Sequence, residues 1–288
     1  MGGGGFCGLF LGMYVPTGQK LAMKRPRPSA WISSEVATRR IVREAKTWSR
    51  FKHKNILLFC GLVEISHEIY LVSLWMEYGD LSAFLTKRLS FLDGDSSSQN
   101  NDPRKTVYMD FKELDTICGI ASGLAYLHAQ SVVHGDLKGL NVLLTQQLKP
   151  VICDFGMTKV KDLQNTTSLA MVGTGTLRWM SSEVMLGGPT TIESDIYSFG
   201  MAIVEILTGL SPLPSYPHQV PFTLAILRGE RPLCEPSSRL GQDLTPLWDI
   251  ASACWLSDPS ERPTAGQVVD CMERNVPLIS SASRSPNL

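Results

Sequence analysis

No stretch of the chain reaches the 18 or so uncharged apolar residues that an α-helix needs to cross a bilayer. The apolar opening over residues 6–15 is broken by glycines and has no basic leader, so neither a membrane span nor a secretory signal is expected. An excess of one charge is also missing: 27 basic side chains stand against 27 acidic ones, which argues against a nucleic-acid or membrane surface. The seven cysteines are widely spaced and include no Cys-x-x-Cys pair, so a zinc site or redox dithiol is not indicated. Reduced, mostly buried thiols in a cytoplasmic protein are the expectation. Internal repeats are absent. The Met-Gly start does not make a myristoylation motif, because Phe6 stands where Ser or Thr is wanted. What is present is an ordinary globular chain of 288 residues, 43% apolar and 19% charged, long enough for one large domain or two.

The first third reads as strands around one helix. Residues 9–14 and 19–24 are short extended runs separated by Pro16-Thr17-Gly18, a turn that suits a hairpin. Val36, Ile41, Ala45 and Trp48 then recur at helical spacing within residues 34–51. Residues 56–65 and 69–76 look like two further strands, joined at Ser66-His67-Glu68. After Gly79 the helical period dominates, starting with Leu81, Phe84 and Leu85. Residues 93–105 are polar and rich in Ser and Asn, a solvated loop between helices. Residues 111–128 form a long helix, and 142–144 and 151–153 a small extended patch. Four more helices are expected at 192–207, 222–227, 247–255 and 265–272, with a disordered tail from 277 to 288.

The chemistry sits just after the long helix. His134-Gly135-Asp136-Leu137-Lys138-Gly139-Leu140-Asn141 is followed by Asp154-Phe155-Gly156, a pairing that resembles the catalytic loop and metal-binding tripeptide of a protein kinase. One tripeptide alone is weak evidence; the ordered set is strong. Leu21-Ala22-Met23-Lys24 resembles the kinase strand that ends in a phosphate-binding lysine, and Arg43-Glu44-Ala45 the helix that supplies its glutamate. Gly175 to Glu183 resembles the substrate-side loop, and Asp195, Trp255 and Asp258-Pro259-Ser260-Glu261-Arg262-Pro263 complete a pattern similar to the tyrosine-kinase-like group of Ser/Thr kinases.

That resemblance implies an α+β bilobal fold, a sheet-plus-helix lobe at residues 1–78 and a mainly helical lobe at 79–276. It also implies the site. Lys24, oriented by Glu44, would hold the α- and β-phosphates of ATP; read without the resemblance, the two are surface charges on a strand and a helix. Asn141 and Asp154 would be hard oxygen ligands for Mg²⁺. Asp136 would take or orient the proton of the substrate hydroxyl, and Lys138 would neutralise the γ-phosphate. His134 is expected as a packing residue beside Phe155 and Trp48. Backbone groups at Leu74 and Met76 would meet the purine edge, Ala22 and Leu143 its faces, and Asp80 the ribose. Ser73 falls at the position that closes the pocket behind the adenine, or, one residue on, Leu74 does.

Several departures accompany the match. The nucleotide lid reads Gly2-Gly3-Gly4-Gly5-Phe6-Cys7-Gly8-Leu9, with Gly2 and Gly4 as its first two glycines and Cys7 where the third is expected. Leu9 precedes Lys24 at the family spacing, but the strand before the lid is missing. Gly135 replaces the arginine that reads a phosphorylated activation loop, so control through Thr166, Thr167 or Ser168 should be weak. Ser181-Ser182 replaces Ala-Pro before Glu183. The reading is an ATP- and Mg²⁺-dependent kinase acting on Ser/Thr of proteins, with no nucleic acid or membrane partner and an undetermined oligomeric state. Its rival is a catalytically silent binding scaffold, favoured by the altered lid and Ser181-Ser182; intact Lys24, Asp136, Asn141 and Asp154 favour the enzyme. A small-molecule kinase of similar fold is disfavoured by the substrate loop and Arg262.

Overall fold

The computed structural model describes residues 7–26, 34–93, 105–157, 159–160, 176–233 and 243–274. Gly2, Gly4, most of the 93–105 loop, Thr166 to Ser168 and the 277–288 tail lie outside the described residues.

Strands β1 (Cys7–Tyr14) and β2 (Gln19–Pro26) form the expected hairpin, closed where Gly18 takes φ +71, a conformation open to glycine. Helix α1 (Ser34–Trp48) follows, then β3 (Phe59–Ile65) and β4 (Glu68–Leu74), joined at Ser66 and His67. All four strands make one antiparallel sheet in the order β1-β2-β4-β3, which leaves β1 on an edge among the described residues. Ile41, Ala45 and Trp48 bury one face of α1, as their spacing requires.

The rest is mainly helical. It comprises α2 (Leu81–Leu92), α3 (Lys105–Asp110), α4 (Glu113–Ala129), α5 (Ser182–Met185), α6 (Ile192–Thr208), α7 (Gln219–Leu227), α8 (Thr245–Cys254) and α9 (Ala265–Arg274). Two small antiparallel pairs lie between α4 and α5: β5 (Val132–Val133) with β8 (Lys159–Val160), and β6 (Val142–Leu144) with β7 (Pro150–Ile152). Helix α6 is the central element. It is buried almost all round from Ser194 to Ile206, is opened by a reciprocal Thr191–Ser194 capping box and ends on Gly209 at φ +72. Gly200 lets α8 approach closely, since a Cβ there would lie 2.8 Å from that of Cys254.

Two local expectations are corrected. Residues 56–58 are not the start of a strand in the large sheet. Ile56 bridges Ile152, and the Leu57 N–H donates to the Ile152 carbonyl at 2.9 Å, so this stretch hydrogen-bonds to β7 and ties the sheet unit to the helical one. Beyond the polar loop, α3 is an additional helix. Its six residues are fixed by tertiary contacts: Arg88 Nε donates to the Tyr108 carbonyl, and the Tyr108 ring packs on Phe84 and Phe91.

Candidate active site

Directly opposed residues of an antiparallel sheet share a face. The pairs Leu9–Lys24, Leu11–Ala22 and Ala22–Ser73 therefore put Leu9, Ala22, Lys24 and Ser73 on the same side of the sheet. Lys24 Nζ crosses to Glu44 Oε1 of α1 at 2.9 Å and to Asp154 Oδ1 at 2.7 Å. One ammonium thus joins a strand, a helix and the segment that follows β7. Burial pushes the Glu44 carboxyl above its ordinary range, with the Asp154 charge adding to the rise and Lys24 opposing it. Burial also works against ionised Asp154, but the Lys24 ammonium outweighs it and holds that carboxyl below its ordinary range. Asp154 itself sits at φ +65, an uncommon conformation for a non-glycine residue.

The loop of residues 134–141, tied to the segment after β7 by the Cys153 N–H donating to the Asn141 carbonyl at 2.9 Å, gathers three of the expected groups. Lys138 Nζ donates to both Asp136 oxygens, at 3.0 and 2.9 Å. Asn141 Nδ2 donates to the Asp136 carbonyl at 2.7 Å and to its Oδ2 at 3.0 Å. With the amide nitrogen committed in this way, the amide oxygen of Asn141 is left to face another partner.

This loop is anchored from below by two carboxylates of α6. Asp195, 1% exposed, accepts the backbone N–H groups of His134 and Gly135 at 2.7 and 2.8 Å and lies 3.1 Å from His128 Nε2. Glu205 accepts from the Gly139 N–H and Trp179 Nε1, each at 3.1 Å, and from the Ser82 hydroxyl. Burial raises the Glu205 pKa. The anchoring roles of Asp195 and Glu205 are absent from the sequence reading. Their signal was available, because a carboxylate in a helix apolar on every side must be paired when buried.

Aromatic packing connects the two walls. Phe59 packs on Trp48 at 5.2 Å, Trp48 on Phe155 at 5.8 Å, and Phe155 meets the edge of His134 at 5.8 Å between ring centres. His134 is fully buried with its Nε2 3.0 Å from the Cys153 carbonyl, in line with its expected packing role.

The segment between the lobes brings the remaining candidates nearby. Leu74 ends β4 opposite Leu21, the Met76 carbonyl accepts from the Gly79 N–H at 3.1 Å, and Leu143 bridges Asp80. Asp80 caps α2, its Oδ1 accepting from the Ala83 N–H at 2.8 Å. Ser73 is 5% exposed, with Ala22 and Phe59 as its cross-strand neighbours. On the substrate side, Glu183 pairs with both terminal nitrogens of Arg262, at 2.6 and 3.1 Å, and Arg262 also donates to the Leu256 and Glu193 carbonyls. Burial works against ionised Glu183, but the Arg262 hydrogen bonds prevail and lower its pKa.

A two-lobed scaffold of sheet and helices, with a lysine–glutamate–aspartate junction facing an aspartate-bearing loop, defines a protein kinase domain. Sequence comparison agrees: the family model described as protein tyrosine and serine/threonine kinase matches residues 1–272, and the chain belongs to that family. A probable serine/threonine-protein kinase kinX of Dictyostelium discoideum is 28% identical over 95% of this chain and 23% of its own length. From Arabidopsis thaliana, the serine/threonine/tyrosine-protein kinase HT1 is 29% identical over 83% of this chain and 57% of its own length. The serine/threonine-protein kinase CTR1 is 29% identical over 85% of this chain and 27% of its own length. The chain thus spans about a quarter to just over half of these relatives. No helix among the described residues is long and apolar enough to cross a membrane.

Proposed function

We propose that this domain transfers the γ-phosphoryl group of ATP to serine or threonine hydroxyls of protein substrates. The observation that carries the reading is the Lys24–Glu44–Asp154 junction, tied to the Asp136–Lys138–Asn141 cluster by the Cys153 N–H donating to the Asn141 carbonyl at 2.9 Å. In this reaction the substrate oxygen bonds to the γ-phosphorus, the bond from that phosphorus to the β–γ bridging oxygen breaks, and ADP leaves. Asp136 receives the hydroxyl proton, and Lys138 holds its carboxylate in place while offering positive charge to the transferring oxygens. Lys24, steadied by Glu44, binds the α- and β-phosphates. Ala22 and Leu143 flank the adenine, Leu9 covers it from β1, and backbone groups at Leu74 and Met76 bind its edge, with Asp80 toward the ribose. Gly2 and Gly4 would close over the phosphates from a segment outside the described residues.

The Asp154 carboxylate and the Asn141 amide oxygen are a hard-oxygen donor pair that suits Mg²⁺, an ion that uses few protein ligands. Bound there, Mg²⁺ would neutralise phosphate charge. The relatives named above as serine/threonine kinases, and Lys138 two residues after Asp136, favour a hydroxyl acceptor on Ser or Thr. A cytoplasmic setting fits the free cysteines found at residues 60, 118, 153, 254 and 271. The reading is tested by Mg·ATP-dependent labelling of a generic protein substrate with the parent chain and Asp154→Asn. Loss of transfer at an unchanged unfolding temperature is expected; equal residual activity would favour the silent scaffold.

A further inference from the structure

The balanced total charge conceals an uneven distribution. Residues 38–54 carry seven basic side chains and one acidic one, Glu44, which turns inward to Lys24. Arg39, Arg43, Lys46 and Arg50 follow one another at spacings of four, three and four residues, which places them in a single file along one side of α1 and its continuation. All four are exposed, whereas Ile41, Ala45 and Trp48 are buried on the opposite side. Lys52 and Lys54, also exposed, follow in the chain just beyond the helix. Among the described residues no carboxylate lies within 4 Å of the charged nitrogens of Arg43, Lys46, Arg50, Lys52 or Lys54. Like charges three and four residues apart repel one another, so this arrangement costs stability within the isolated domain.

We propose that this face of α1 is a docking surface for an Asp/Glu-rich segment of a partner protein. Charge complementarity selects an anion, and the shape of the file selects an extended peptide. At about 1.5 Å of rise per residue, Arg39 to Arg50 span about 16 Å, the length of five or so extended residues. A flat anionic membrane would require apolar side chains to insert beside the cations, and the exposed apolar residue among them, Val42, is only 36% exposed. Duplex or single-stranded nucleic acid would require a helix free to enter a groove, or aromatic rings to stack on. The inner side of α1 is packed on the sheet, and Trp48 is 4% exposed.

The test measures binding of a fluorescent octaglutamate peptide to the full chain by anisotropy, at low and physiological salt. Replacing Arg43, Lys46 and Arg50 together by Gln should weaken binding about tenfold, the combined effect of three exposed ion pairs, without lowering the unfolding temperature. Removing equal charge from the helical lobe, with Lys87, Lys112 and Lys149 all replaced by Gln, should change binding less than about twofold. The single change Lys46→Glu should weaken it in the same direction. Failure of the parent to bind, or equal losses in the two triple variants, overturns the proposal. So does tighter binding of phosphatidylserine vesicles or duplex DNA to the same face. Asp154→Asn should leave peptide binding intact, so loss of the catalytic reading and loss of this one are separable.

Discussion

Lys24 is held on the sheet side of the cleft by two side-chain ion pairs, whereas the loop bearing Asp136 is fixed on the helical side through its own backbone, by carboxylates buried in α6. The surroundings differ in the same sense. Leu11 and Met13 of the edge strand are 58% and 67% exposed, while Met201, Ala202 and Ile203 of α6 have no exposed surface. The difference indicates which half can adjust. An ion pair across a cleft can lengthen or reform as a nucleotide enters, but a backbone N–H buried on a carboxylate cannot be released without a large desolvation cost. Chemistry on the rigid wall and binding on the adaptable one is the arrangement this predicts.

The largest break in that comparison should come from Asp195→Ala, which strands the His134 and Gly135 N–H groups and His128. A loss of about 3–5 kcal/mol of stability is expected in denaturant unfolding; a cost under about 1 kcal/mol would mean that the loop is held by something else.

On the adaptable wall, the proposed placement of the nucleotide predicts that Ser73→Met fills space behind the adenine. Purine analogues with a bulky aromatic substituent should then bind about 10–200-fold more weakly, with ATP binding little changed. Equal effects on substituted and unsubstituted analogues would move the closing residue to Leu74.

Glu183→Gln should cost about 2 kcal/mol at neutral pH, because it leaves the buried Arg262 guanidinium short of a charged partner. Since folding lowers the Glu183 pKa below its ordinary 4.5, the pair contributes fully above that value and is lost as pH falls through the folded-state pKa. The gap between parent and variant should therefore narrow on acidification, and a gap that widens contradicts the pairing. The smallest effect is expected at the exposed edge, where Met13→Ser should shift stability by less than about 0.5 kcal/mol.

Much of this architecture could be read from the chain because its signals are local. Residues 19–24 fall within β2, and residues 192–207 within α6, because period and turn chemistry agree there. What escaped was set by distant partners. Tyr108 is held in α3 by Arg88 and Phe84, and Leu57 gives its N–H to Ile152 rather than to the sheet. Lys24, Glu44 and Asp154 were singled out by type and order, yet the sharing of one ammonium by Glu44 and Asp154 depends on a fold that brings α1 toward the segment after β7. The basic file on α1 was obscured for a different reason, because a whole-chain charge of zero averages it away.

The most direct measurement is transfer of labelled phosphate from Mg·ATP to a protein substrate by the purified chain and by Asp136→Asn, with thermal unfolding of both recorded alongside. On the proposed reading Asp136 acts on the reacting hydroxyl, while Asp195 and Glu205 hold the loop, so the variant should unfold at the parent's temperature and lose activity by about a hundredfold or more. Parent and variant with the same activity, or a parent that transfers no phosphate, would contradict the account.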